Sequence, residues 1–170
     1  MCVKQYCQEH ILFSKSVKDN IAFGKRNATL SDIEKAIKTA AFSEDLKRMP
    51  DGLETLIGER GVSISGGQKQ RISLARAFIR QPEVLILDDS LSAVDAQTER
   101  RIIKNLQDMR ANQTTIIVTH RLSAIQQADW VLVLEDGQII EEGTPNQLLN
   151  KGGWYAEQYQ RQQHQKGGGE

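Results

Sequence analysis

Two short runs of apolar and β-branched residues, Val84–Leu87 and Thr114–Thr119, constrain this chain more than any other feature. Neither alternates apolar with polar residues, so each reads as a strand covered on both faces, as in a parallel sheet. Segments of helical period surround them. Ile72, Ala75, Phe78 and Ile79 recur at helical spacing, and Pro82 stops that helix just before the first run. Asp95 is placed to cap the next helix, with Ile102, Ile103, Leu106 and Met109 inward and Arg100, Arg101 and Lys104 in water. Upstream, Ser31-Asp32-Ile33-Glu34 reads as a capping box for a helix that buries Ile33, Ala36, Ile37 and Ala40. Downstream, a helix near Ser123–Gln127 precedes a strand at Trp130–Leu134, and Asp136-Gly137 turns a hairpin into Gln138–Glu141. Helices alternating with buried strands predict an α/β fold with a parallel sheet and a small antiparallel edge.

Composition narrows the partners. The chain has 170 residues, with Lys plus Arg and Asp plus Glu at 22 each. That length suits one domain or a large piece of one, and zero net charge predicts no nucleic-acid partner. Any phosphate site must be local. No apolar run is long enough to span a bilayer, and Lys4 and Glu9 stand where a signal peptide would be apolar, so a soluble, cytosolic chain is expected. Cys2, Cys7 and His10 lack the spacing of a metal site and read as free thiols and a lone imidazole. The polar stretch 158–170, ending in three glycines before Glu170, is expected to be a fraying helix that runs into a disordered tail.

The run VLIL ends in Asp88 and Asp89. Ligands of open α/β sheets bind beyond the carboxyl ends of strands, where a hard carboxylate suits Mg²⁺ on a nucleotide. A core strand ending in a polar turn explains the pair equally well on its own. Ser65-Gly66-Gly67-Gln68 opens a helix, and two glycines there let backbone N–H groups approach an anion favoured by the helix dipole. Alone, such an entry is usually only a turn.

In order and spacing, however, Gln8, SISGGQ, VLILDD, SAVD and IIVTH together resemble the nucleotide-binding domain of an ATP-binding cassette (ABC) transporter. The resemblance implies the P-loop NTPase fold with a helical signature subdomain, incomplete at its amino end, over residues 1–157. It also implies ATP and Mg²⁺ as ligands, and as partners a second nucleotide-binding domain and the transmembrane domain of an exporter. The chain would then work at the cytoplasmic face of a membrane. By the same resemblance Gln8 and Asp88 are metal-side residues, and Ser65 to Gln68 form the signature that faces ATP held by the opposite subunit. Ser92 and Asp95 belong to the loop that crosses the dimer interface, and His120 is the switch histidine at the γ-phosphate. Asp89 stands where the family has a glutamate base. Because a general base must come within about 3 Å of its proton, the shorter aspartate should serve poorly. That departure is similar to the degenerate site of heterodimeric exporters. LIGERG, residues 56–61, and HILFSKSVKDNI, residues 10–21, are similar to exporter-specific segments.

Gly-x-x-x-x-Gly-Lys-Ser/Thr, whose backbone wraps the phosphates, does not occur in this sequence. These 170 residues alone are therefore expected neither to bind ATP tightly nor to hydrolyse it. MCVKQYC, residues 1–7, departs from the family's usual lead into the loop glutamine and is expected to derive from another reading frame or an internal start. A second class of function remains open: a non-catalytic module that docks its signature face on an intact cassette subunit.

Overall fold

The structure is a computed structural model that describes residues 3–6, 11–58 and 61–167. The sequence-based expectations for Gln8, Cys2, Cys7, His10, Glu59 and Arg60 lie outside those residues. The chain divides into two compact units, residues 1–118 and 119–170. The division falls at the end of β3 (Thr114–Val118).

In the first unit, β1 (Val3–Tyr6), β2 (Val84–Asp88) and β3 (Thr114–Val118) form a parallel sheet in the order β1-β2-β3. Tyr6 pairs with Leu87, and Leu87 with Ile117. Residues 3–6 thus form an edge strand in register. Leu85 and Leu87 are fully buried, while Val84 and Ile86 on the opposite face are half-buried. β3 differs more from expectation. It lies at the other edge, and Ile116 and Val118 are 45% and 50% exposed, because only one of its two faces is covered.

The helices are α1 (Val17–Ala22), α2 (Leu30–Thr39), α3 (Ser43–Lys47), α4 (Gly66–Phe78) and α5 (Ala96–Met109). The cap of α2 is Thr29, not Ser31: Thr29 Oγ1 accepts from Asp32 N, and the Asp32 carboxylate accepts from Thr29 N. Asp32 wins the role expected for Glu34 because Lys25 also holds it, at 2.9 Å. Ile33, Ala36, Ile37, Ile72, Ala75, Phe78, Ile79, Ile102, Ile103 and Leu106 make the core as their spacing predicts. Two buried polar side chains tie its edges. Asn20 amide nitrogen donates to the carbonyls of Phe13 and Ser16, both at 3.0 Å, fixing the segment before α1. Arg110 donates to Pro82 O, Thr114 O and Thr115 Oγ1 at 2.8, 2.9 and 3.0 Å, lacing the end of α5 to the starts of β2 and β3.

The second unit opens with a short 3₁₀ turn at Leu122–Ala124 in place of the helix expected near Ser123–Gln127. It continues with β4 (Val131–Glu135), β5 (Gln138–Gly143), α6 (Pro145–Lys151) and α7 (Trp154–Gly167). Asp136 and Gly137 both have positive φ, 49° and 79°, the backbone of a two-residue hairpin turn. Leu122, Val131, Val133, Leu148 and Tyr155 form its core. Residues 158–167, expected to fray from a helix into disorder, continue α7 throughout. The helix is anchored at its start by Glu141, whose carboxylate accepts from the N–H groups of Trp154 and Tyr155, and further on by Gln162, which bonds Leu122 N and His120 O.

Candidate functional site

Ser65 caps α4 through a closed capping box. Its hydroxyl oxygen accepts from Gln68 N at 3.2 Å, and Gln68 Oε1 accepts from Ser65 N at 2.9 Å. Between these two satisfied amides stand Gly66 and Gly67, whose N–H groups have no protein acceptor among the described residues. Gly66 is exposed, and a Cβ on it would meet nothing within 4 Å. Two free N–H groups at the start of a 13-residue helix, with no side chain over them, can bind an oxyanion.

The loop after β2 lies against this helix end. A Cβ on Gly67 would come 3.0 Å from Ala93 O, and the fully buried Gln70 accepts from Ala93 N at 3.1 Å through Oε1. Gln70 therefore holds the Ala93 N–H while the Ala93 carbonyl lies close over Gly67, so this part of the loop sits beside the start of α4. Ser92 is half-buried on this loop, and its N–H donates to Asp89 O at 3.3 Å. Asp95 ends it as the cap of α5. Its Oδ1 accepts from Gln97 N and Thr98 N, and its Oδ2 from Thr98 Oγ1 at 2.7 Å. The Thr98 hydroxyl, then the Thr98 and Gln97 amides, hold its carboxyl down at about 2. Its sequence-based assignment as a ligand-side residue thus meets a carboxylate already occupied by its own helix.

Asp88 is the last residue of β2 and half-buried, and Asp89 follows at φ 43° with its N–H donating to Val118 O at 2.9 Å. Left-handed backbone costs an ordinary residue about 1 kcal/mol or more, and aspartate tolerates it better than most. Asp89 thus has a backbone reason to be aspartate. In the second unit, His120 is exposed, with its carbonyl held by Gln162 Nε2 at 2.9 Å.

Three contributors escaped sequence reasoning: Gln70, Arg71 and Asp45. Arg71 Nη1 contacts Asp45 Oδ2 at 2.6 Å and Nη2 contacts Oδ1 at 3.1 Å, while its Nε donates to Gly67 O at 3.1 Å. Gln70 and Arg71 stand two and three residues after Gln68 and carried a signal in their polarity within a helix otherwise packed by Ile72, Leu74 and Ala75. Asp45 carried none, because its partners are distant in sequence.

The comparisons agree with this geometry. The family described as ABC transporter matches residues 2–92, more than half of the 170-residue chain. The chain belongs to the ABC transporter family. The probable multidrug resistance ABC transporter ATP-binding/permease protein YheI of Bacillus subtilis is 58% identical over 156 residues, 92% of this chain and 27% of that relative. The multidrug resistance-like ATP-binding protein MdlA of Escherichia coli is 47% identical over 156 residues, 92% of this chain and 26% of that protein. A solved bacterial Atm1-family ABC exporter with ATP bound matches with a TM-score of 0.88 at 37% identity, over 95% of this chain and 28% of that one. The chain therefore spans only 26–28% of the length of these relatives. Its fold is part of the P-loop NTPase fold of ABC proteins, built on the parallel sheet β1-β2-β3.

Proposed function

We propose that this chain is the ATP-binding part of an ABC exporter of the multidrug type, working with a second nucleotide-binding domain and an exporter's transmembrane domain at the cytoplasmic face of a membrane. The observation that carries this reading is the free Gly66 and Gly67 N–H pair seated against the loop 92–95. In this reading the pair binds the γ-phosphate of ATP held by the opposite domain. The Ser65 hydroxyl, whose oxygen already accepts from Gln68 N, still has its proton to donate to a phosphate oxygen. Ser92 meets the partner across the interface, and Asp95 contributes by fixing the loop to α5. His120 and Gln8 take the γ-phosphate and metal-side roles that the resemblance implies.

Mg²⁺ fits the donor set: Asp88 offers a half-buried hard oxygen at the carboxyl end of β2, and Mg²⁺ is commonly held by one or two carboxylates plus phosphates. Asp88 would hold it, and its chemistry would be neutralisation of phosphate charge. Asp89 would be the residue closest to an attacking water, yet its side chain is one methylene short of the usual glutamate and starts from left-handed backbone. The reading therefore assigns this chain to the slow site of a heterodimer, lending its signature to a competent partner site. The 170 residues by themselves, without a phosphate-wrapping loop in their sequence, do not hydrolyse ATP.

The test is ATP hydrolysis by an intact cassette subunit with and without this chain, followed by Asp89→Glu in a pair whose subunit carries these residues together with a phosphate-wrapping loop. Stimulation by the chain, and a further rise with Asp89→Glu, are expected. Failure of the chain to associate with any such subunit in ATP would sink the reading. Stimulation that Asp89→Glu leaves unchanged would remove only the slow-site assignment.

A further inference from the structure

The carboxylate of Asp45 sits 20% exposed between two residues of the signature helix. Its Oδ1 accepts from Gln68 Nε2 at 3.1 Å and from Arg71 Nη2 at 3.1 Å, and its Oδ2 from Arg71 Nη1 at 2.6 Å. Arg71 is further fixed by Gly67 O at 3.1 Å, by Ala41 O at 3.2 Å, and by the Phe42 ring, with its guanidinium carbon 5.7 Å from the ring centroid. Gln68 reaches the other way, and its Oε1 closes the capping box on Ser65 N.

The polarity of this chain of bonds runs in one direction only. A carboxylate offers acceptors and no donor, so it takes the NH₂ end of the Gln68 amide and turns the carbonyl end to Ser65 N–H. With Ser65 N and Gln68 N both satisfied, the remaining N–H groups of the helix start, those of Gly66 and Gly67, are held in one orientation. Arg71 adds a second hold on the same turn through Gly67 O. We propose that Asp45, remote in sequence from every signature residue, is a positioning residue for the phosphate-facing end of α4, acting through Gln68 and Arg71. The proposal rests on the nucleotide reading given above.

Asp45→Asn separates polarity from shape. The shortest contact, to Arg71 Nη1, keeps an oxygen opposite it, which turns the new NH₂ group toward Gln68 and Arg71 Nη2. Two donors then face each other, Gln68 flips, and its NH₂ group is presented to Ser65 N–H. A residue needed only for packing would be rescued by this isosteric change. Asp45→Leu removes the acceptors altogether, and Glu44→Leu, at the exposed neighbour, serves as the control.

The experiment measures association of the full chain with an intact cassette subunit in ATP and in ADP. It is paired with hydrogen exchange at Ser65 and Gln68 in the chain alone. Wild type and Glu44→Leu should prefer ATP. Asp45→Asn and Asp45→Leu should lose about fivefold of that preference, the worth of one half of a capping box, with association in ADP unchanged and Ser65 exchanging faster. A simple loss of folded chain would weaken association in both nucleotides alike. Asp45→Asn with the full wild-type ATP preference overturns the proposal and leaves the nucleotide reading standing. Absence of an ATP preference in the wild type overturns the nucleotide reading, and the proposal with it.

Discussion

Gly66 and Gly67 are neighbours in one helical turn, yet alanine should act on them in opposite directions. Glycine in a helix costs about 0.5–1 kcal/mol relative to alanine, and the gain is at the lower end of that range in a first turn. At Gly66 the added Cβ meets nothing within 4 Å, so the gain comes without a contact penalty. Gly66→Ala should stabilise the first unit by about 0.5 kcal/mol, which raises Tm by roughly 1–2 °C in a chain of this size. At Gly67 the Cβ would stand 3.0 Å from Ala93 O, and Ala93 is held on its other side by Gln70. The loop must shift, and overpacking of this kind costs about 1–3 kcal/mol. After the propensity gain, Gly67→Ala should be destabilising by about 1 kcal/mol. Far-UV circular dichroism or hydrogen exchange at α4 is the probe, because both tryptophans, Trp130 and Trp154, lie in the second unit. The nucleotide reading adds a further demand. Gly66→Ala places a methyl group over the proposed phosphate position, so the more stable variant should lose most of its ATP-dependent association with a partner. Equal stability changes at the two glycines, or the reverse order, would refute the packing argument. Full ATP-dependent association of Gly66→Ala would refute the placement of phosphate there.

Replacing Arg110 with lysine keeps the charge but gives up the fork that reaches four acceptors from a 4%-exposed position; a loss of about 2–3 kcal/mol by urea denaturation is expected. Tyr155→Phe should leave stability unchanged or raise it by up to about 1 kcal/mol, because the hydroxyl is buried with no partner among the described residues; tryptophan fluorescence reports this unit directly. Acid should weaken the first unit through two helix caps. Asp95, held by Thr98 and Gln97, and Asp32, held by Lys25 and Thr29, each have a carboxyl lowered to about 2. Both are depressed in the fold, so their stabilisation is present above the unfolded value of about 3.9 and is lost as pH falls toward about 2. Asp95→Asn keeps a capping oxygen but does not titrate, and should flatten the fall between those pH values in denaturation curves taken at each pH.

The motifs were legible in the sequence by their resemblance to a family, and part of their local chemistry is visible in the structure. A serine three residues before a glutamine closes a capping box, two glycines between them leave N–H groups uncovered, and an aspartate before a helical period caps it. The spacing of Ile72, Ala75, Phe78 and Ile79 likewise settled which face of α4 is core. Errors arose where a competing local partner or the number of neighbouring layers decided the outcome. Thr29 displaced Ser31 as a cap because Asp32 could be shared with Lys25. β3 has the composition of a covered strand, but its position at a sheet edge leaves Ile116 and Val118 half exposed. The polar stretch from 158 to 167 stays helical because Glu141 and Gln162 hold it.

The sequence by itself determined the class of fold and the family, since both reside in short-range pattern and order. Only the tertiary structure decided which motifs meet. It brought Ala93 between Gly67 and Gln70, and Asp45 onto Gln68 and Arg71, across separations of 23 to 26 residues. Such pairs leave no period in a sequence, because a hydrogen bond depends on where folded backbones converge and not on the spacing between the residues that make it.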